Sequence, residues 1–193
     1  MNRICVFTGS SPGAKNDYRD AALALAEELV SRDLELVYGG ANIGLMGAVA
    51  DRVLELGGHV IGVIPESLVD MEVAHRALPD LRVVDSMHAR KALMAELSSG
   101  FIAMPGGIGT LEEIFEVLTW AQLGMHAKPC GVLNAAGYYD GLVAFLRHMV
   151  DERFLKEGHR DLLIVEESPK ELLDVFARYA PADTRKWLDR TQT

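Results

Sequence analysis

Two adjacent glutamates, Glu112 and Glu113, follow directly on a glycine turn, Met104-Pro105-Gly106-Gly107-Ile108-Gly109-Thr110-Leu111. The apolar run from Phe101 to Met104 reads as a strand end, and a helical pattern starts near Thr110, so the turn delivers the chain into a helix N-terminus. The first N–H groups of a helix have no intrahelical acceptor and carry partial positive charge, which makes such a turn a place for an anion. Pro105 stiffens the strand exit. Gly106, Gly107 and Gly109 permit positive φ and let a ligand reach the backbone without meeting a Cβ. Thr110 is expected to cap the helix or to give its hydroxyl to a phosphate oxygen. One acid in a first turn complements the helix dipole. A carboxylate beside a bound anion repels it unless that carboxylate faces a part of the ligand that is neutral or becomes cationic.

A second charged pair, Arg90-Lys91, sits early in a helical pattern running from Met87 to Ser98 that Asp85 or Ser86 can cap. Consecutive residues stand about 100° apart on a helix, so the two cannot share one face fully. A solvated surface is the plain alternative, but this helix begins at the carboxyl end of a strand, on the same rim as the anion turn, where a guanidinium could clamp a phosphate or polarise a sugar or base. Gly39-Gly40-Ala41-Asn42-Ile43-Gly44 is a further glycine-rich strand exit, but it lacks the dinucleotide spacing, and the chain has no Walker pattern. The six histidines are scattered without metal spacing, no G-x-S-x-G elbow occurs, and Cys5 and Cys130 sit in strand-like runs as small hydrophobes. No metal and no cofactor is expected.

These residues need a scaffold. Apolar runs at 3–8, 34–38, 59–64, 81–84, 101–104, 129–133 and 162–165 alternate with helical patterns at 17–32, 45–56, 87–98, 110–123, 138–150 and 169–179, while 65–79 shows weak helical character at best. That alternation predicts a Rossmann-like, doubly wound parallel sheet of about seven strands with helices on both faces, in one α/β domain over residues 1–180, followed by a polar tail at 181–193 with Trp187 as a docking point. The glycine turns after the first, second and fifth strands all fall at carboxyl ends and can meet in one crevice. With 193 residues, 49% hydrophobic and 24% charged, the chain suits a single core. Its formal net charge of -9 argues against nucleic acid as partner. The short apolar run near the N-terminus and the lack of a spanning stretch predict a cytoplasmic protein without membrane contact. Ile114, Phe115, Val117, Leu118, Trp120 and Leu123 make the helix after the anion turn apolar around most of its girth, which favours a homodimer.

Pro105-Gly106-Gly107-Ile108-Gly109-Thr110-Leu111-Glu112-Glu113 matches a PGGxGTxxE signature, accompanied by Gly44-Leu45-Met46-Gly47, Ser86-Met87-His88-Ala89-Arg90-Lys91 and Thr119-Trp120-Ala121-Gln122-Leu123-Gly124. In these motifs and their order, the chain from Cys5 to about Phe154 resembles the LOG ("lonely guy") family, cytokinin riboside 5'-monophosphate phosphoribohydrolases, an older label for which is lysine decarboxylase; no pyridoxal-phosphate lysine motif accompanies it. The resemblance implies hydrolysis of the N-glycosidic bond of a nucleoside 5'-monophosphate, with phosphate on the N–H groups of Gly107, Gly109 and Thr110. It further implies Glu113 and Arg90 as catalytic residues and a substrate-contacting set that adds Glu72, Lys91, Ile108, Leu111, Glu112 and Thr119. Glu72 follows Asp70-Met71 where the family has a different pair. Family members are dimers with sites near the subunit contact. The base, modified adenine or plain adenine, stays open, with Met87 as a candidate for lining its pocket. A non-catalytic nucleotide or cofactor carrier on the same fold is the alternative.

Overall fold

The computed structural model describes residues 1–69 and 74–181. Seven strands, β1 (Arg3–Phe7), β2 (Glu35–Tyr38), β3 (Val60–Pro65), β4 (Asp80–Val84), β5 (Gly100–Ala103), β6 (Cys130–Leu133) and β7 (Leu163–Glu166), form one parallel sheet in the order β4-β3-β2-β1-β5-β6-β7. The central strands carry almost only apolar side chains because both sheet faces are covered. The helices are α1 (Asn16–Ser31), α2 (Gly44–Glu55), α3 (Glu66–Val69), α4 (Met87–Leu97), α5 (Ile108–Gln122), α6 (Asp140–Asp151), α7 (Glu157–Arg160) and α8 (Pro169–Ala177). Ile4 and Val6 of β1 face a core with Leu25 and Leu29 of α1, Val49 and Val53 of α2 and Phe176 of α8. Their neighbours Cys5 and Phe7 face Met94 of α4, Ile114 and Val117 of α5 and Leu146 of α6. The period-two alternation of β1 thus feeds two cores.

The order reverses at β1: the chain moves outward through β2, β3 and β4, then returns by α4 to place β5 on the other side of β1. The crevice expected at such a switch point opens between the β1 and β5 exits. The glycine turns interlock there. The Gly9 N–H donates to the Pro105 carbonyl at 3.1 Å, the Leu45 N–H donates to the Gly9 carbonyl at 3.1 Å, and the Thr8 hydroxyl donates to Pro105 O at 3.2 Å. A Cβ on Gly44, which has φ +58, would overlap the Ser10 backbone.

The fold follows the sequence pattern closely, with three departures. Helix α5 begins at Ile108 with Gly107 as its N-cap, so Thr110 lies inside the first turn, buried, and caps nothing. Gly106, Gly107 and Gly109 are absent from the positive-φ residues, so backbone freedom is not what these positions use. Helix α7 has no apolar period to announce it; its single turn is held by Arg160, which pairs with Asp161 at 2.5 Å and Glu157 at 3.6 Å, and by burial of His159. The tail from 182 onward, Trp187 included, lies outside the described residues. Among the described residues no helix is long and apolar enough to cross a membrane.

The glycines of the anion turn divide by what surrounds them. A Cβ on Gly106 would overlap Thr110 Oγ1 and stand 2.8 Å from the Gly9 nitrogen, whereas nothing lies within 4 Å of one on Gly109. Gly106→Ala is therefore expected to cost about 1–3 kcal/mol, and Gly109→Ala to leave stability within about 1 kcal/mol of the parent or slightly above it. Urea midpoints at unchanged slope check both.

Candidate active site

The first turn of α5 presents the N–H groups of Ile108, Gly109 and Thr110, which have no acceptor within the helix, and Gly107, Ile108 and Gly109 are exposed on the rim. Open space around Gly107 and Gly109 replaces positive φ as the reason for glycine here: a ligand atom can sit where a Cβ would otherwise project. The turn is held from behind by two tyrosines that the sequence did not single out. Tyr139 Oη donates to Met104 O at 2.6 Å and Tyr138 Oη donates to Gly106 O at 2.5 Å. Asn134 fixes Tyr139, since its Oδ1 accepts from the Tyr139 N–H at 2.7 Å and its Nδ2 donates to Asp140 at 2.8 Å. Consecutive tyrosines after an Asn at a strand exit were the available signal, read instead as the start of a helix. A cavity of about 290 Å³ lies between the β1 and β5 turns, lined by Gly9, Ser10, Leu45, Gly106 and Gly107 and flanked by Tyr18, whose ring meets Tyr138 edge-on at 5.5 Å.

Arg90 and Glu113 come together beside this turn. Ser86 caps α4, its Oγ accepting from the Ala89 N–H at 3.1 Å, and the cap sets the phase that turns Arg90 inward. The Arg90 guanidinium donates through Nη1 to Glu113 Oε1 at 2.9 Å and through Nε to the Val63 carbonyl at 3.1 Å. Both side chains are buried, Arg90 at 7% exposure and Glu113 at 8%. Burial raises the Glu113 pKa above its ordinary 4.5, and the positive charge of Arg90 offsets only part of that rise. The carboxyl is thereby moved toward neutral pH, the range useful to a general base. Burial also pushes the nearby Cys5 thiol well up, reinforced by the Glu113 charge, so Cys5 stays protonated.

The remaining predicted residues divide. Lys91 diverges from Arg90 as the helical angle requires, yet also reaches α5: its ammonium bonds Glu112 and, at 3.1 Å, Glu116, and the Glu112 bond holds it above the ordinary lysine range. Ile108 is 83% exposed on the rim, while Leu111 packs into the core beneath α5. Met87 is partly exposed at the start of α4. Thr119 is not drawn into the cluster. It lies six residues along α5 from Glu113, about 9 Å of helix, and its hydroxyl is spent on the Phe115 carbonyl at 2.7 Å. Glu72 lies outside the described residues. Among the described residues no group of three or more His, Cys, Asp or Glu side chains could hold a metal ion.

Fold and site define a doubly wound α/β protein whose rim sets a helix-N-terminal anion turn against a buried carboxylate–guanidinium pair. A family model described as possible lysine decarboxylase matches residues 46–176. A cytokinin riboside 5'-monophosphate phosphoribohydrolase of Arabidopsis thaliana is 50% identical over 185 residues, 96% of this chain and 86% of that protein. A probable cytokinin riboside 5'-monophosphate phosphoribohydrolase of Oryza sativa subsp. japonica is 51% identical over 181 residues, 94% and 80% of the two chains. The chain belongs to this LOG family. Among solved structures, the molybdenum cofactor carrier protein of Chlamydomonas reinhardtii matches with a TM-score of 0.68 at 21% identity, over 91% of this chain and 96% of that one. The molybdenum cofactor binding protein of Rippkaea orientalis matches with a TM-score of 0.69 at 21% identity, over 92% and 96%. At that identity the likeness establishes the fold.

A raised carboxyl pKa has a sign for stability. The folded state binds the Glu113 proton more tightly than the unfolded chain, so this group's contribution is fully present below its ordinary 4.5 and is lost as pH rises through the folded value. Glu113→Gln, which keeps an acceptor for Arg90, is expected to match or exceed the parent's thermal midpoint near pH 7.5, with the difference closing as pH falls below about 4.5. Melting curves across pH measure it.

Proposed function

We propose that the protein hydrolyses the N-glycosidic bond of adenine-type nucleoside 5'-monophosphates, cytokinin riboside 5'-monophosphates, AMP or both, releasing the free base and ribose 5-phosphate. The observation that carries this reading is the Glu113–Arg90 pair buried directly beside an anion turn. A phosphate on the N–H groups of the first α5 turn, with Gly107 at its edge, gives a 5'-monophosphate a fixed end. A carboxylate next to that end would weaken binding of a purely anionic ligand. It becomes favourable once the ribose develops oxocarbenium character, so its effect is concentrated in the transition state.

The steps balance without a further reactant. Water attacks C1' and gives a proton to the Glu113 carboxylate as the bond from C1' to the base nitrogen breaks and its electron pair leaves with the base; Glu113 then releases that proton through solvent to the base nitrogen and is ionised again. Arg90 keeps that carboxylate oriented and partly ionised, and would itself meet the ribose or base. Lys91, Glu112, Ile108, Leu111 and Glu72 complete the proposed substrate-contacting set. The relatives named as cytokinin riboside 5'-monophosphate phosphoribohydrolases, at about half identity across nearly the whole chain, support the same reading.

The reading extends to assembly and place: a cytoplasmic homodimer. Leu123 and Met125, 55% and 69% exposed at the end of α5, offer apolar surface for a second copy, and Thr119 on the same helix would reach a substrate most simply across such a contact. A non-catalytic nucleotide or cofactor carrier is the alternative, and the molybdenum cofactor carrier protein of Chlamydomonas reinhardtii shares the fold. Burying an ionisable carboxylate against the anion site would give a carrier no advantage.

Incubation with AMP and with isopentenyladenosine monophosphate, followed by chromatography of the free base, tests the proposal. Glu113→Ala is expected to lower kcat at least about 100-fold, and undiminished release would contradict the role of Glu113. Because Glu113 acts as the carboxylate, the parent's rate is expected to fall with decreasing pH, with a midpoint above 4.5.

A further inference from the structure

Tyr38, at the end of β2, is fully buried, yet its hydroxyl has a partner: His75 Nδ1 at 3.0 Å. His75, itself 7% exposed, turns its other ring nitrogen to Asp51 Oδ1 of α2 at 3.3 Å. The Tyr38 pKa is raised by burial, so its O–H stays on as a donor. A ring that accepts at Nδ1 from the Tyr38 hydroxyl has Nε2 left to donate toward the Asp51 carboxylate. The main chain at the same spot is tied twice more: the His75 N–H donates to the Gly40 carbonyl at 2.8 Å, and Ala74 pairs with Ala41 in an isolated antiparallel bridge.

The tied turn is the one that backs Arg90. A Cβ on Gly39 would overlap Arg90 Nη2, the nitrogen next to the one that bonds Glu113, and Gly40 holds φ +74, so the turn lies directly against the guanidinium. Arg90 is thus boxed by Val63 O, Glu113 and the Gly39–Gly40 backbone. We propose that His75 is a positioning residue for the hydrolytic site: the Tyr38–His75–Asp51 chain pins the Gly39–Gly40 turn and thereby fixes Arg90 against Glu113. The proposal rests on the functional reading above for its kinetic consequence, but not for its structural one.

Loss of the pin lets the guanidinium shift while the α5 phosphate turn, held separately by Tyr138 and Tyr139, keeps its shape. His75→Ala is therefore expected to lower kcat about tenfold or more, the scale of a small displacement of a catalytic group, with KM changed much less. His75→Asn, whose amide oxygen takes the Nδ1 place and accepts from Tyr38, is expected to recover most of the rate. Tyr38→Phe, which keeps the ring and removes only the hydroxyl, carries the test if His75→Ala does not fold. Glu113 itself supplies a readout independent of turnover, because its carboxyl is held down only by Arg90 and, more weakly, Lys91, against burial and Glu112. Carbon-detected NMR titration of Glu113 is expected to move to higher pH in His75→Ala and Tyr38→Phe and to return in His75→Asn. An unmoved Glu113 titration in the variants, or His75→Asn no better than His75→Ala, overturns the proposal. A parent enzyme that releases no base from any nucleoside monophosphate overturns the functional reading instead, and the titration still decides the role of His75.

Discussion

The close crossing of the β1 and β5 exits is the constraint on which the rest of the rim depends. Gly9 and Gly106 approach so nearly that a Cβ on Gly106 would overlap its neighbours and one on Gly9 would press on the Gly106 backbone, and Gly44 brings the start of α2 onto the same knot. Each hydrogen bond in the crossing contributes on the order of 1 kcal/mol, which is modest. Their joint effect is geometric: they aim the first turn of α5 outward while its second turn faces the sheet interior. Glycine residues that look alike in the sequence therefore do opposite things, Gly106 closing space and Gly107 and Gly109 leaving it open.

The second turn then carries the buried pair. Glu113 lies one helical turn beyond the exposed start of α5, far enough in to be buried. Breaking a buried ion pair by removing one partner typically costs about 3–5 kcal/mol, yet here burial outweighs the pairing and the carboxyl rises above its ordinary value. A site selected only for stability would resolve that conflict with an apolar residue or a second cation. Retaining it leaves a carboxyl raised above its ordinary value by burial, while Lys91, the other cation at hand, is occupied by Glu112 and Glu116.

Much of this was legible in the residues. The alternation of short apolar runs with amphipathic stretches gave the parallel sheet, and the three glycine-rich exits belong to β2, β1 and β5, which are neighbours in the sheet. Arg90 was readable as a rim charge from Ser86 and the phase of α4. What could not be read depends on contacts between distant segments. Nothing local says that Tyr139 reaches Met104, 35 residues away, or that His75 meets Tyr38, 37 residues away. Thr110 looks like a cap because threonine is a common one; the helix instead starts two residues earlier, with Gly107 in the extended cap position. Helix α7 was invisible because its turn is stabilised by charge pairs and one buried histidine instead of an apolar stripe.

The proposed reaction cleaves the bond between base and ribose and leaves the phosphate in place. Phosphorus NMR of the protein mixed with AMP or isopentenyladenosine monophosphate, paired with chromatography of the same sample, tests it in one experiment. The nucleotide phosphorus signal is expected to be replaced by that of ribose 5-phosphate as an equal amount of free base appears. Inorganic phosphate with intact nucleoside, or bound nucleotide that never turns over, would contradict it.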